Sequence, residues 1–141
     1  MLAIHIWIIL ILNIEVYMAK DNTQMANEEM QQTIYKELGY KSYPFPFTTP
    51  AYLEAYGTLV GLKPPAAKTA RVLELGATYG GNIISQATHN PEATFVGIEL
   101  SQDQVEKGNK IIGDAKLDNV SLVQGDILNF DESMGTFDYI I

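Results

Sequence analysis

Three short apolar runs, RVLEL, TFVGIEL and VSLVQ, are separated by stretches with helical periodicity, and this alternation constrains the fold more than any other feature. The runs are apolar on both sides of an extended chain, as in strands covered on both faces, and alternation of strand with helix is the pattern of a parallel sheet. Arg71 to Leu75 reads as the first strand, Ala93 to Leu100 as the second and Asn119 to Gln124 as the third. Between the first two, Gly80 to about Thr88 is a predicted helix with Ile83, Ile84 and Ala87 on its buried side, closed by Asn90-Pro91. A second helix starts at Ser101, with Gln104 three residues on in a capping-box arrangement, and Val105, Gly108, Ile111, Ile112 and Ala115 form its apolar face. Phe137 to Ile141 reads as the start of a fourth strand.

Handedness adds a consequence. Right-handed crossovers place both intervening helices on one face, and the return from the third strand to the fourth, Gly125 to Thr136, crosses the other. A link carrying Asn129, Asp131, Glu132 and Gly135 is too short and polar to cover that face, so it is expected to be largely bare, with Phe137 to Ile141 an open edge. The expected behaviour is that of a fragment, poorly soluble or marginally stable until another chain supplies the missing half.

Upstream, YPFPFTTPAYLEAYGTLVGLKPP alternates prolines with Phe45 and Phe47, which prevents helix and favours an extended segment whose rings lie on something apolar. Thr49 then caps a helix with Pro50 at its first position; Leu53, Tyr56, Leu59 and Val60 recur at helical spacing until Gly61 and Pro64-Pro65. Residues 1–32 read as an extension, hydrophobic and then polar, ahead of a domain at 33–141. The first 18 residues are the most hydrophobic window, but His5, Asn13 and Glu15 interrupt it and no Lys or Arg precedes Lys20. It falls short of the roughly 20 apolar residues of a spanning helix and lacks the basic lead of a secretory signal. A packed or interfacial helix, a degenerate signal, or sequence translated from too early a start, with Met18 or Met25 the true beginning, remain; the last is favoured. The expected location is cytoplasmic, with membrane association through residues 1–18 as the alternative.

Composition removes several function classes. With 141 residues the chain is one domain at most, and its formal charge of -8 disfavours nucleic acid or anionic lipid as a direct partner. No cysteine is present, which rules out disulfides, thiolate metal sites and a cysteine nucleophile. His5 and His89 lack ligand-like spacing, so no metal site is expected.

The chemistry concentrates where the strands end. Glu74 lies in the first strand, Glu99 closes the second and Asp126 follows the third, and in an open parallel sheet the ligand crevice lies at these carboxyl ends. The loop from Gly76 to Gly81 sits there too, with a helix start whose unpaired N–H groups are expected to face the ligand. Gly76 permits a sharp turn, Glu99 can accept from both ribose hydroxyls, and Asp126 can accept from an exocyclic amine. A dinucleotide site wants GxGxxG, but the corresponding positions are Gly76, Thr78 and Gly81, so the glycine that lets backbone approach a pyrophosphate is missing. Glu74 turns the run into ExGxxxG; an acid there repels pyrophosphate and suits a cationic ligand, which favours S-adenosylmethionine.

VLELGATYGGN, FVGIELS, VQGDIL and FDYII, in this order, resemble the first four sheet motifs of class I S-adenosylmethionine-dependent methyltransferases. YPFPFTTP, GGNII and GTFDYII further resemble the bacterial members that carry a methyltransferase regulatory domain downstream. The resemblance covers roughly Tyr43 to Ile141 and departs at Thr78, where the broad family has its second glycine. It implies a Rossmann-like α/β fold, an open parallel sheet in strand order 3-2-1-4, truncated after strand four, with helices mainly on one face. It also implies S-adenosyl-L-methionine as cofactor: Glu74 and Gly76 border its methionine part, Ala77, Thr78, Tyr79 and Gly80 form the loop beneath, Glu99 and Leu100 meet the ribose, Asp126 holds the adenine amine and Ile127 lies against the ring. Plainer roles stay open. Glu74 could pair with Arg71, Gly80 and Gly81 could simply open a helix, Asp126 could be a turn residue, and Asn82 lies in the first helical turn away from ligand.

Methyl transfer from a sulfonium is an in-line displacement that mainly asks for alignment and exclusion of water. In the family the residues that choose the acceptor lie beyond strand four, so neither a catalytic base nor the methyl acceptor is identified, and the chain alone is expected to be inactive. A separately encoded C-terminal half is the expected partner. A non-catalytic S-adenosylmethionine-binding module and a nicotinamide oxidoreductase fragment are the competing functions.

Overall fold

The computed structural model describes residues 42–129 and 132–141, together with Met25, which is helical and exposed. The other expectations for residues 1–32 lie outside the described residues. The chain divides by its internal contacts into two units, Met1–Gly39 and Tyr40–Ile141, and the second holds the sheet.

Strands β1 (Arg71–Leu75), β2 (Thr94–Glu99), β3 (Val120–Gln124) and β4 (Tyr139–Ile140) form one sheet in the order β3-β2-β1-β4, with every pair parallel. The register sets Val72 beside Phe95 and Tyr139, and Phe95 beside Val120, so these residues share a face. Helices α2 (Gly81–His89) and α3 (Gln102–Asp114) cover it, and Ile83, Ala87, Val105 and Ile112 join Val72, Phe95, Val120 and Leu122 in the core. Burying each large apolar side chain here contributes about 1.5–3 kcal/mol. Two glycines permit the close approach. A Cβ on Gly97 would stand 2.5 Å from Leu122 Cδ2 and 2.6 Å from Ala77 Cβ; one on Gly108 would stand 2.1 Å from Leu122 Cδ1 and 2.8 Å from the Tyr79 carbonyl oxygen.

The opposite face is open at its margins and closed at its centre. Leu75, Val123 and Ile140 are exposed, whereas Leu73 and Ile98 are buried. The expectation of a largely bare face therefore fails at these two central positions. β4 is shorter than Phe137 to Ile141, because the residues before it are held by a side chain. The Arg71 guanidinium donates to the carbonyls of Met134 and Thr136 and lies over the Phe137 ring, and the Asp138 carboxylate accepts from the Arg71 amide. Ladder bonds nevertheless run from Asp138 N to Arg71 O and from Ile141 N to Leu73 O.

Helix α1 (Pro50–Leu59) starts as expected, with Thr49 Oγ1 accepting from Tyr52 N and Pro50 in the first turn. Its apolar spacing is not a buried side: Tyr56, Leu59 and Val60 are exposed, and Pro50 and Gly57 are buried. The Phe45 and Phe47 rings are exposed as well and meet aromatics, Phe45 at 5.0 Å from Tyr43 and Phe47 edge-on at 5.3 Å from Tyr52. The capping box at Ser101 does not form. Glu99 Oε1 accepts from Ser101 N, the donor that Gln104 would have taken, and the Gln104 amide is buried without a partner among the described residues.

Candidate functional site

The register brings the end of β1 level with the ends of β2 and β3: Leu75 pairs with Ile98, and Glu99 with Gln124. Gly76 follows at φ +73°, and nothing lies within 4 Å of where its Cβ would stand. Its backbone thus forms a bare crest between Glu74 and Glu99. The amides of Gly76 and Ala77 both donate to Ile98 O at 2.9 Å, which ties the crest to β2.

Thr78 is left-handed at φ +50°, a conformation that costs a non-glycine residue about 1–2 kcal/mol. Its amide donates to Glu99 Oε2 at 3.0 Å and its hydroxyl to Ser42 Oγ at 2.9 Å. Gly80, at φ +78°, caps α2 without a side-chain bond, and the first helical amide, Gly81 N, donates to Ser42 Oγ at 2.7 Å. The expectation that these N–H groups face a ligand is corrected for five of the six amides from Gly76 to Gly81. The amides of Gly76, Ala77, Thr78, Gly80 and Gly81 are all engaged within the protein. Glu99 is itself 1% exposed, and its two carboxylate oxygens accept from Thr78 N and Ser101 N, which offsets the cost of burying them.

Glu74 is held differently. Its Oε1 accepts from Asn82 Nδ2 at 2.7 Å, while Oε2 is buried without a partner among the described residues. Burial pushes its pKa up to about 7, against the opposing effect of the hydrogen bonds from Asn82 and from the Ile83 backbone. Arg71 is occupied with the approach to β4, so the Glu74–Arg71 pairing is absent. Asn82 Oδ1 accepts from Phe45 N at 2.8 Å and from Gln86 Nε2 at 3.0 Å, and Gln86 Nε2 reaches Thr48 Oγ1 at 3.2 Å. The polar network therefore runs from β1 through α2 to the segment 42–48.

Asp126 follows β3, and Oδ1 accepts from Leu128 N at 2.9 Å, the Asx turn of its plainer role. Beside it Ile127 is 53% exposed, and Leu100, after Glu99, is 52% exposed, so two apolar side chains stand unpacked beside these acids. Tyr79 is turned elsewhere. Its ring lies 5.9 Å from Lys107 Nζ on α3, and it lines an open cavity of about 470 Å³ with Ser42, Gly81, Ile84, Ser85 and Ile111. The structure thus gathers Glu74, Gly76, Glu99, Leu100, Asp126 and Ile127 at one sheet end, with Ala77, Thr78 and Gly80 beneath, and sets Tyr79 apart. Sequence reasoning missed Ser42, Thr48 and Gln86 and placed Asn82 without a task. A polar pair at i, i+4 directly beside the buried Ile83 and Ala87 was the available signal.

The family model described as "Putative methyltransferase" matches residues 68–136. The uncharacterized protein RP028 of Rickettsia prowazekii is 43% identical over 107 residues, which are 76% of this chain and 43% of that protein. The tRNA (guanine-N(7)-)-methyltransferase of Burkholderia thailandensis is 32% identical over 79 residues, 56% of this chain and 28% of that protein. Among solved structures, PKMT2 from Rickettsia typhi in complex with AdoHcy aligns with a TM-score of 0.69 and 44% identity, over 72% of this chain and 19% of that one. The chain spans less than half the length of these relatives. The sheet order, the ordered motifs and these likenesses together support a class I S-adenosylmethionine-dependent methyltransferase.

Proposed function

We propose that residues 42–141 are the cofactor-binding part of a methyltransferase and that they bind S-adenosylmethionine at the carboxyl end of the sheet. The observation that carries this is the open crest at Gly76 between two acids, one of which, Glu74, keeps a buried carboxylate oxygen unpartnered. The residues fit the group. Glu74 Oε2 suits the cationic methionine end, Glu99 the ribose hydroxyls, Asp126 the adenine amine, and the exposed Leu100 and Ile127 the faces of the ring. When bound, the sulfonium supplies an electrophilic methyl group. The chain's own share is to fix that group's position and to exclude water from it. Glu99 enters this role by sharing its oxygens between the ribose hydroxyls and the backbone amides that orient it, since both oxygens accept amides in the structure.

On this reading the methyl acceptor is engaged by polypeptide beyond these elements, consistent with relatives of which the match covers only 43% and 19%. That polypeptide, a C-terminal half that continues the chain or is separately encoded, is the proposed partner, and the exposed Leu75, Val123 and Ile140 support it. The net charge of -8 over the whole chain argues against direct RNA binding. Titration calorimetry with S-adenosylmethionine, S-adenosylhomocysteine and NAD tests the reading. Micromolar binding of the first two is expected, with none of NAD, and Glu99→Ala should weaken it at least about tenfold, roughly 1.4 kcal/mol. Binding of NAD alone would sink the proposal.

A further inference from the structure

Thr78 occupies a left-handed position that glycine takes freely, and it carries a β-branched side chain there. Such strain persists only where the surroundings over-determine the conformation. At Thr78 two hydrogen bonds do so from opposite sides, the amide to Glu99 Oε2 and the hydroxyl to Ser42 Oγ. Ser42 in turn accepts from Gly81 N, and its backbone lies so close that a Cβ on Gly81 would stand 2.6 Å from the Ser42 carbonyl carbon. A few residues on, Phe45 N is tied to Asn82 Oδ1, the amide that also holds Glu74. The segment 42–48 is therefore a strap fastened to the loop and, through Asn82, to the first acid.

We propose that Ser42 and Thr78 form a latch: they are positioning residues that fix the loop's hold on Glu99 and so set the affinity for the sulfonium nucleotide. This rests on the cofactor reading given above. The hydroxyl of Thr78 earns its place against glycine because it reaches the strap. Without it, the left-handed turn has one anchor instead of two, the Thr78 amide leaves Glu99 more readily, and the carboxylate loses a backbone donor that orients it. Tyr43 and Phe45, whose rings contact each other at 5.0 Å, ride on the same strap and shift with it.

The test is calorimetry with S-adenosylhomocysteine on the full chain and on Ser42→Ala, Thr78→Gly, Thr78→Ser and the Ser42→Ala/Thr78→Gly double variant. Ser42→Ala and Thr78→Gly should each weaken binding about fivefold to twentyfold, Thr78→Ser should restore the wild-type affinity, and the double variant should bind no worse than the weaker single. Wild-type or tighter binding by Thr78→Gly, or losses that multiply in the double variant, overturns the latch. Amide hydrogen exchange at Gly81 reads it without ligand: faster exchange in Ser42→Ala supports it, and unchanged exchange overturns it. A wild-type chain that binds no sulfonium nucleotide defeats the cofactor reading and the affinity claim, while the exchange result still decides whether the contact is formed.

Discussion

Glu74 is the residue at which electrostatics and ligand chemistry meet. Because burial raises its pKa from 4.5 to about 7, the folded chain binds a proton at Glu74 that the unfolded chain releases between these values. The stabilising contribution is thus fully present below about pH 4.5 and is lost as pH rises through 7, by roughly 3 kcal/mol at most. Urea unfolding of Glu74→Gln against wild type at pH 5 and pH 8 checks this: the substitution should flatten the pH slope and leave the variant relatively more stable at pH 8. A cationic ligand prefers the carboxylate form, so nucleotide affinity should rise from pH 5 through pH 7 and level only above about pH 8, and Glu74→Gln should abolish the rise. An affinity that is flat in wild type would remove Glu74 from the ligand's surroundings.

At the scale of elements, the tightest join is α3 on β3. Replacing Gly108 by Ala would gain about 1 kcal/mol of helix propensity. It would also drive a methyl against Leu122 Cδ1 and, at 2.8 Å, against the carbonyl oxygen of Tyr79. A leucine can change rotamer, but a backbone oxygen in the loop cannot move without the loop. Overpacking should win, with a net loss of about 1–2 kcal/mol by chemical denaturation, and an unchanged midpoint would contradict this packing. The strands and both sheet-covering helices were legible because apolar periodicity reports burial against neighbours that are always present in such a sheet. The spacing of Leu53, Tyr56, Leu59 and Val60 misled, since period marks a shared face and not what lies opposite it. Ser101 and Gln104 misled for another reason: a local capping motif lost its donor to Glu99, and only the folded chain shows that competition. Ser42 was illegible because its partners, Thr78 and Gly81, are brought to it by tertiary structure alone.

For the whole molecule, the sheet has one closed face and one with exposed residues at its margins, Leu75, Val123 and Ile140 at 41%, 38% and 63% exposure. Lysine at exposed strand positions deters edge and face association. Val123→Lys/Ile140→Lys should therefore lower self-association in light scattering while moving the melting temperature by less than about 2 °C. Equal scattering from both proteins would show that the open margins are not the sticky surface. The clasp on β4 has a consequence for the order of assembly. Strands β1 to β3 leave the ribosome in the order in which they pair outward, but β4 must come back to the far side of β1, across the 67 positions that separate Arg71 from Asp138. Until then the free flank of β1 is open to any strand that arrives first, and contacts this distant in sequence form slowly. Arg71 sits on that flank with a guanidinium that recognises two carbonyls and a ring of the incoming segment, so the nascent chain carries its own selector for the strand that belongs there.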